Sequence, residues 1–249
     1  MSEKTAPRLS VIIPAYNEEK RIGESLDKLE AYFAGVDYAA EIIVVDDGSA
    51  DGTAPIVRER AAASSRLRLL SNPGNRGKGY AVRNGMLDAA GQVRLFFDAD
   101  GSTPIDQVEK FWPLFAAGAA VCIGSRAHPA ADIVVHQPWY RETMGRTFNL
   151  MVRLLALRGF TDTQCGFKAF TAAAADIVFR RQRLNRFGFD VELLYIARMY
   201  GLPIAEAPVK WINSPASRVN PFSDASRMFL ELLQIRLNTL RGLYRKPLP

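Results

Sequence analysis

The chain is poor in the residues that most often announce metal or thiol chemistry, with two cysteines and two histidines in 249 residues. Cys122 and Cys165 stand apart, with no CxxC pair and no clustered histidine, which argues against a disulfide framework or a zinc site and fits a reducing compartment. Long apolar runs are also missing. No window offers the ~18 uncharged apolar residues that a membrane span needs. The opening MSEKTAPR carries charge with no apolar stretch behind it, so no signal peptide is expected. Neither GxxxxGK[ST] nor a GxGxxG after the first β-rich run occurs, which disfavours ATP-dependent transfer and dinucleotide redox chemistry. His128 and His136 share a loop without a nucleophile elbow, so a Ser-His-Asp arrangement is unsupported.

Negative charge is the scarcer sign: 26 Asp and Glu against 32 Lys and Arg give a net charge of +6. That balance favours an anionic partner, whether nucleic acid, phosphorylated substrate or acidic membrane. At 48% hydrophobic and 23% charged, the chain can fill the core of one large globular domain.

From residue 9 to 126, short β-rich runs alternate with stretches at helical spacing. The runs are LSVIIPAYN (9–17), EIIVVDDGS (41–49), RLRLLSNPG (66–74), VRLFFDAD (93–100) and AAVCIGSR (119–126). Strands alternating with helices imply right-handed crossovers and a mostly parallel, doubly wound α/β sheet. In such sheets ligands bind beyond the carboxyl ends of the strands. Each run ends in polar or glycine-rich residues, so five clusters converge there: Tyr16-Asn17-Glu18, Asp46-Asp47-Gly48-Ser49, Asn75 to Gly79, Asp98-Ala99-Asp100 and Ser125-Arg126. Turn and cap roles account for Ser49, Gly52 and Thr103-Pro104, but not for two acidic pairs, whose like charges repel without a counter-ion.

A DxD at the end of a buried strand suits Mg²⁺ or Mn²⁺, which takes one or two carboxylates and fills its other positions with phosphate and water. Gly74 to Gly79 opens a helix and reads equally as a site where backbone amides and Lys78 face a phosphate or as a turn that needs no ligand.

The second half reads differently. Residues 139–158 interleave Trp139, Phe148, Leu150, Met151, Leu154 and Leu155 with Arg141, Arg146, Arg153 and Arg158, which predicts a basic amphipathic helix turned towards lipid. A second such stretch, 226–246, reads first as a helix covering the core. Between them, AEAPVKWIN (205–213) reads as an edge strand because of Pro208.

The series VIIPAYNEEKRI, IIVVDDGSADGT, NRGKGYAVRNGM, FFDADGSTP, IGSR, DTQCGFKAF and FGFDVELL resembles the family 2 glycosyltransferases of the GT-A fold, and among them the polyprenyl-phosphate branch. The resemblance runs from about residue 9 to residue 240, with the motifs in family order. It implies one GT-A domain over 1–249, a nucleotide-sugar-binding half at 9–126 and an acceptor half with membrane-associating helices at 127–249. By the same resemblance, Pro14, Ala15, Tyr16 and Glu18 cradle the nucleotide, and Asp46 or Asp47 reads the base. Lys78 and Ala99 join the nucleotide-sugar site, Asp98 and Asp100 bind the metal, and Arg126, Arg141 and Arg218 hold the acceptor phosphate. Related mannosyl enzymes continue the DxD into a glutamine; here Gly101-Ser102 follows, so no third protein ligand is implied.

The reaction implied is inverting transfer of a hexose, with glucose from UDP-glucose expected first, to a polyprenyl or dolichyl phosphate at the cytoplasmic face of a membrane. Asp162, Asp190 and Glu192 are expected on the acceptor side, where Asp162 or Asp190 would orient sugar hydroxyls or take a proton. A turn former at Asp162, a helix N-cap at Asp190 and structural ion pairs at Arg126 and Arg141 are the competing roles. Other functions weighed against this one are mannosyl transfer from GDP-mannose, a soluble enzyme with a small acceptor, and a nucleotidyltransferase, which would need a glycine-rich signature where PAYNEE stands. A nucleic-acid-binding protein is disfavoured, because the arginines alternate with aliphatics rather than forming a polar stripe.

Overall fold

The computed structural model describes residues 6–135, 145, 147, 149–152, 156–157, 159–212 and 221–245, with side chains from 227 onward in the last segment. Trp139, Arg141, Arg146, Phe148, Arg153, Leu154, Leu155, Arg158 and Arg218 lie outside the described residues, and so does His136.

The five β-rich runs form strands: β1 (Leu9–Ala15), β2 (Ala40–Asp46), β3 (Leu67–Ser71), β4 (Val93–Phe97) and β5 (Val121–Ser125). Between the first four lie α1 (Ile22–Ala34), α2 (Thr53–Ala63) and α3 (Lys78–Asp88). The period-2 alternation of a strand distributes one apolar run over two cores. Val11 and Ile13 join Ile42, Val44 and Leu95 under α1 and α2, while Ile12 joins Ile43, Val45 and Phe96 under α3. Each fully buried side chain of this size contributes roughly 1.5–3 kcal/mol, which is why the sheet centre fixes the register.

Residues 105–118, one of the stretches at helical spacing between the β-rich runs, form a 3₁₀ helix (Ile105–Lys110) followed by a short α4 (Trp112–Ala116) rather than a single helix. Pro113 lacks the N–H and crowds the carbonyl four residues back, so the helix restarts there with the proline in its first turn.

Four further strands follow: β6 (Asp132–Val135), β7 (Phe167–Thr171), β8 (Ile204–Pro208) and β9 (Lys210–Ile212). The main sheet runs β3-β2-β1-β4-β7-β5-β8, parallel from β3 to β4 and between β5 and β8, with β7 antiparallel to both β4 and β5. A strand from the second half is therefore inserted between two strands of the first. The stretch 205–213 does reach the sheet edge, as Pro208 suggested, but it splits: β8 is the edge strand, and β9 pairs with β6 in a separate two-stranded sheet.

The second half also supplies α5 (Ala172–Phe179), capped by Thr171 Oγ1 accepting from the Ala174 amide, then α6 (Phe189–Met199) and α7 (Pro221–Leu240). Met228, Leu232 and Ile235 of α7 enter the same core as Val191 and Leu194 of α6. Two polar contacts fasten α7 and the turn after it. Glu231 Oε2 accepts the Gly188 amide at 2.7 Å, and the fully buried Tyr244 donates its hydroxyl to Glu192 Oε1 at 2.7 Å. Among the described residues, no helix is long and apolar enough to cross a membrane.

Candidate active site

The carboxyl ends of β1, β2, β4 and β5 carry the residues the sequence singled out. After β1 the chain must turn sharply, and Asn17 does so at φ 54°, a left-handed conformation that asparagine tolerates better than most residues. The turn is laced to the loop after β2: the Asn17 amide donates to Ser49 Oγ, the Glu18 amide to Thr53 Oγ1, and the Ala50 amide to Asn17 Oδ1, all at 2.7–2.8 Å. Ala15 is buried at the strand end, Pro14 is half-buried beside it, and the Tyr16 ring is exposed at the crevice. Glu18 grips Arg21 through two bonds of 2.7 Å, and Arg21 in turn reaches within 3.9 Å of Asp100.

The two aspartates after β2 are both buried but differ in what they hold. Asp47 accepts the Asn72 carboxamide at 2.8 Å and the amides of Arg76 and Gly77 at 3.0 and 2.7 Å. This corrects the expectation that the amides opening α3 face a phosphate, because a carboxylate of the protein already fills that concavity. Gly77 is required there: its φ is 103°, and a Cβ would lie 2.4 Å from the Asn185 carbonyl oxygen. Asp46 accepts only the Ser49 amide through Oδ1 among the described residues, which leaves it an oxygen for a ligand.

Lys78, the first residue of α3, sends Nζ to 2.6 Å from Asp98 Oδ1, off the direction of a good hydrogen bond. Desolvation pulls the Lys78 ammonium down, and the charges of Asp98 and then Asp190 outweigh it, so the group stays cationic. Although one edge of Asp98 is open, desolvation by the protein around it pushes its carboxyl up against the pull of Lys78. Asp98 fits because residue 166 is glycine: a Cβ there would lie 1.9 Å from Asp98 Oδ2. Ser25 Oγ holds the Ala99 carbonyl at 2.7 Å, and Asp100 Oδ1 accepts the Ser102 amide at 3.0 Å, so the DxD backbone is fixed from both sides. Two hard carboxylates at one strand end, one with a poorly directed partner, fit a Mg²⁺ or Mn²⁺ ion completed by phosphate and water.

Beneath this pair lies one the sequence reading missed. Lys168 of β7 is fully buried, donates to the Cys165 carbonyl at 2.6 Å and forms an ion pair with Asp190 in the first turn of α6. Asp190 is therefore engaged by Lys168, and it is not an N-cap, a place taken by Gly188. Glu192, also expected at the acceptor, is corrected outright: it is fully buried and accepts the amides of Arg183 and Leu184 together with the Tyr244 hydroxyl. Burial pushes its pKa up to about 7 despite those donors. Burial likewise pushes the Cys165 thiol up to about 11, so it is neutral.

At the end of β5, Arg126 and Asp162 form a two-pronged pair: Nε donates to Oδ2 at 2.7 Å and NH2 to Oδ1 at 2.9 Å. The amides of Arg126 and Gln164 fill the other acceptor positions of Asp162. Burial pushes the Asp162 carboxyl up, but the Arg126 charge and these donors override it and hold the pKa at about 2. With its lone pairs so occupied, Asp162 is arranged to aim Arg126, while its bond to Gln164 gives it the turn-forming role as well. Behind it, Glu206 of the edge strand accepts the amides of Thr161 and Asp162. The Asp162 pair engages Nε and NH2, so NH1 is the edge of the guanidinium that an oxyanion would meet.

A twisted α/β sheet with a DxD at its carboxyl edge and an arginine facing it across the crevice is the arrangement of a GT-A glycosyltransferase. The model of "Glycosyl transferase family 2" matches residues 10–179, and the chain belongs to that family. The dolichyl-phosphate beta-glucosyltransferase of Homo sapiens is 37% identical over 254 residues, covering 96% of this chain and 78% of the human one. Its Drosophila melanogaster counterpart is 38% identical over 258 residues, covering 98% and 79%. Among solved structures, glucosyl-3-phosphoglycerate synthase from Mycobacterium tuberculosis, in complex with Mn²⁺, UDP and glucosyl-3-phosphoglycerate, superposes with a TM-score of 0.67. At 22% identity, over 93% of this chain and 79% of that one, it shares the fold.

Proposed function

We propose that this chain transfers glucose from UDP-glucose to a polyprenyl phosphate of the dolichyl class, with inversion, as a peripheral protein at the cytoplasmic face of its membrane. The observation that carries the reading is the identity of 37–38% with dolichyl-phosphate beta-glucosyltransferases, which extends over 96–98% of the chain and so includes both the DxD and the Arg126 side of the crevice.

Each residue then has a physical task. Asp46 accepts the imide N–H of the uracil, and the exposed Tyr16 ring covers the base. Asp98 and Asp100 hold a Mg²⁺ or Mn²⁺ ion, which when bound offsets charge on the departing diphosphate. Lys78, cationic and next to Asp98, shares that charge. Arg126, aimed by Asp162, binds the acceptor phosphate through NH1, with Arg141 and Arg218 as further cations for it. The acceptor oxygen forms the new bond to the anomeric carbon as the bond to UDP breaks on the opposite face. A phosphate monoester is largely ionised at neutral pH, so no carboxylate has to remove a proton. Asp190 neutralises Lys168 and keeps the floor of the site rigid.

Purified chain offered radiolabelled UDP-glucose or GDP-mannose, polyprenyl phosphate or 3-phosphoglycerate, with and without Mn²⁺, tests the reading. Label from UDP-glucose moves to the lipid only with metal, and UDP is released. Transfer from GDP-mannose, or to 3-phosphoglycerate in place of the lipid, would replace it.

A further inference from the structure

Helix α7 carries two apolar stripes, and only one is covered by the described protein. Met228, Leu232 and Ile235 face inward, together with Glu231 and Asn238. At about 100° per residue, Phe229, Leu230, Leu233, Leu237 and Leu240 fall on the opposite side of the helix. All five are exposed, Leu230 by 63% and Leu240 by 84%. A scattered surface leucine is ordinary, but a contiguous row opposite the buried stripe is not what a helix that merely covers a core presents.

The charges beside the row are of one sign. Arg236 borders it on one flank and Arg227 and Arg241 on the other, with Arg245 in the closing turn, and all four are exposed. Glu231 is the sole carboxylate between residues 227 and 245, and it is turned inward onto the Gly188 amide. The outward face is thus apolar at its centre, cationic at its borders and free of acid.

We propose that this face of α7 is a docking surface for an anionic bilayer: the leucines enter the acyl boundary, and the arginines reach headgroup phosphates beside it. A second copy of the chain fits less well, since it would set arginine borders against each other, whereas anionic headgroups complement them. Most of 139–158, the stretch expected to face lipid, lies outside the described residues, and α7, expected to cover the core, does so with its inward stripe alone. Docking requires no substrate, so it stands or falls separately from glucosyl transfer.

Flotation of the full chain with phosphatidylcholine vesicles, with and without phosphatidylserine, and without nucleotide sugar or polyprenyl phosphate, tests it. The wild type floats with the anionic vesicles, and added salt weakens the binding. Leu230→Gln/Leu233→Gln/Leu237→Gln/Leu240→Gln lowers partitioning by more than about a hundredfold. Arg236→Glu/Arg241→Glu lowers it by roughly tenfold or more on anionic vesicles only. Should the leucine variant melt early, the arginine pair and the salt dependence decide. A wild type that ignores vesicles, variants that float as the wild type does, or a wild-type oligomer that the leucine variant turns into monomer would each overturn the proposal.

Discussion

Asp162→Asn keeps the shape of the side chain and removes the charge that aims Arg126. The carboxylate is 2% exposed, so its interactions are little screened by solvent. Burial alone would raise its pKa from 3.8, and the Arg126 guanidinium with its accompanying donors brings it to about 2 instead. At about 1.4 kcal/mol per pH unit, that lowering corresponds to about 2 kcal/mol of folded-state stabilisation. The variant also leaves Arg126 without its counter-charge, which takes the expected loss to about 2–5 kcal/mol at neutral pH. A folded pKa below the unfolded one means that the stabilisation is present in full above the ordinary carboxylate range and is lost as the pH falls from about 4 towards 2. Urea unfolding of the two proteins, followed by circular dichroism, should therefore give curves well separated at neutral pH that converge in acid. On the proposed function, in which Arg126 binds the acceptor phosphate, the KM for that acceptor should rise at least about tenfold, with a much smaller change for UDP-glucose, because a bond to a charged donor is lost. Equal stability at neutral pH, or a gap that persists unchanged into acid, would refute the reasoning.

Three further outcomes follow from the geometry. Gly166→Ala would place a Cβ 1.9 Å from Asp98 Oδ2, so Mn²⁺ binding read by electron paramagnetic resonance should weaken sharply while the fold survives. Lys168→Met leaves Asp190 charged and buried without its partner, so the unfolding free energy should drop by about 3–5 kcal/mol, and adding Asp190→Leu should recover part of it. Glu192, with a pKa raised from 4.5 to about 7, contributes stability that is present below about pH 4.5 and lost as the pH rises through about 7; Glu192→Gln should flatten that part of the stability profile.

Much of residues 9–126 was legible because the strands there are apolar runs ended by polar clusters, and β1 to β5 with α1 to α3 form where that pattern puts them. The DxD was legible because carboxylates closing a buried strand need a counter-ion. β7 escaped because Lys168 sits in the middle of it, and a lysine there makes sense only once Asp190 is known to lie above it. The break at Pro113 was visible in the sequence, but the apolar spacing around it still read as one helix. The amides before α3 looked like a phosphate cradle because nothing local reveals that Asp47, about thirty residues earlier, occupies them. The outward leucines of α7 have the same helical spacing as its inward ones, and only the packing of α6 tells the two stripes apart.

The bonds from the Gly188 amide to Glu231 and from the Tyr244 hydroxyl to Glu192 tie residues 221–245 to a segment on which the loop before α3 rests. Gly79 packs against Phe189, and the Tyr80 amide donates to the Asn185 carbonyl, within the same turn as Lys78. A shortened chain ending before residue 221 would therefore lose more than the proposed docking face. It would free the prop beneath Lys78, which the proposed function sets against the diphosphate, so trimming the tail for solubility should blunt nucleotide affinity as well.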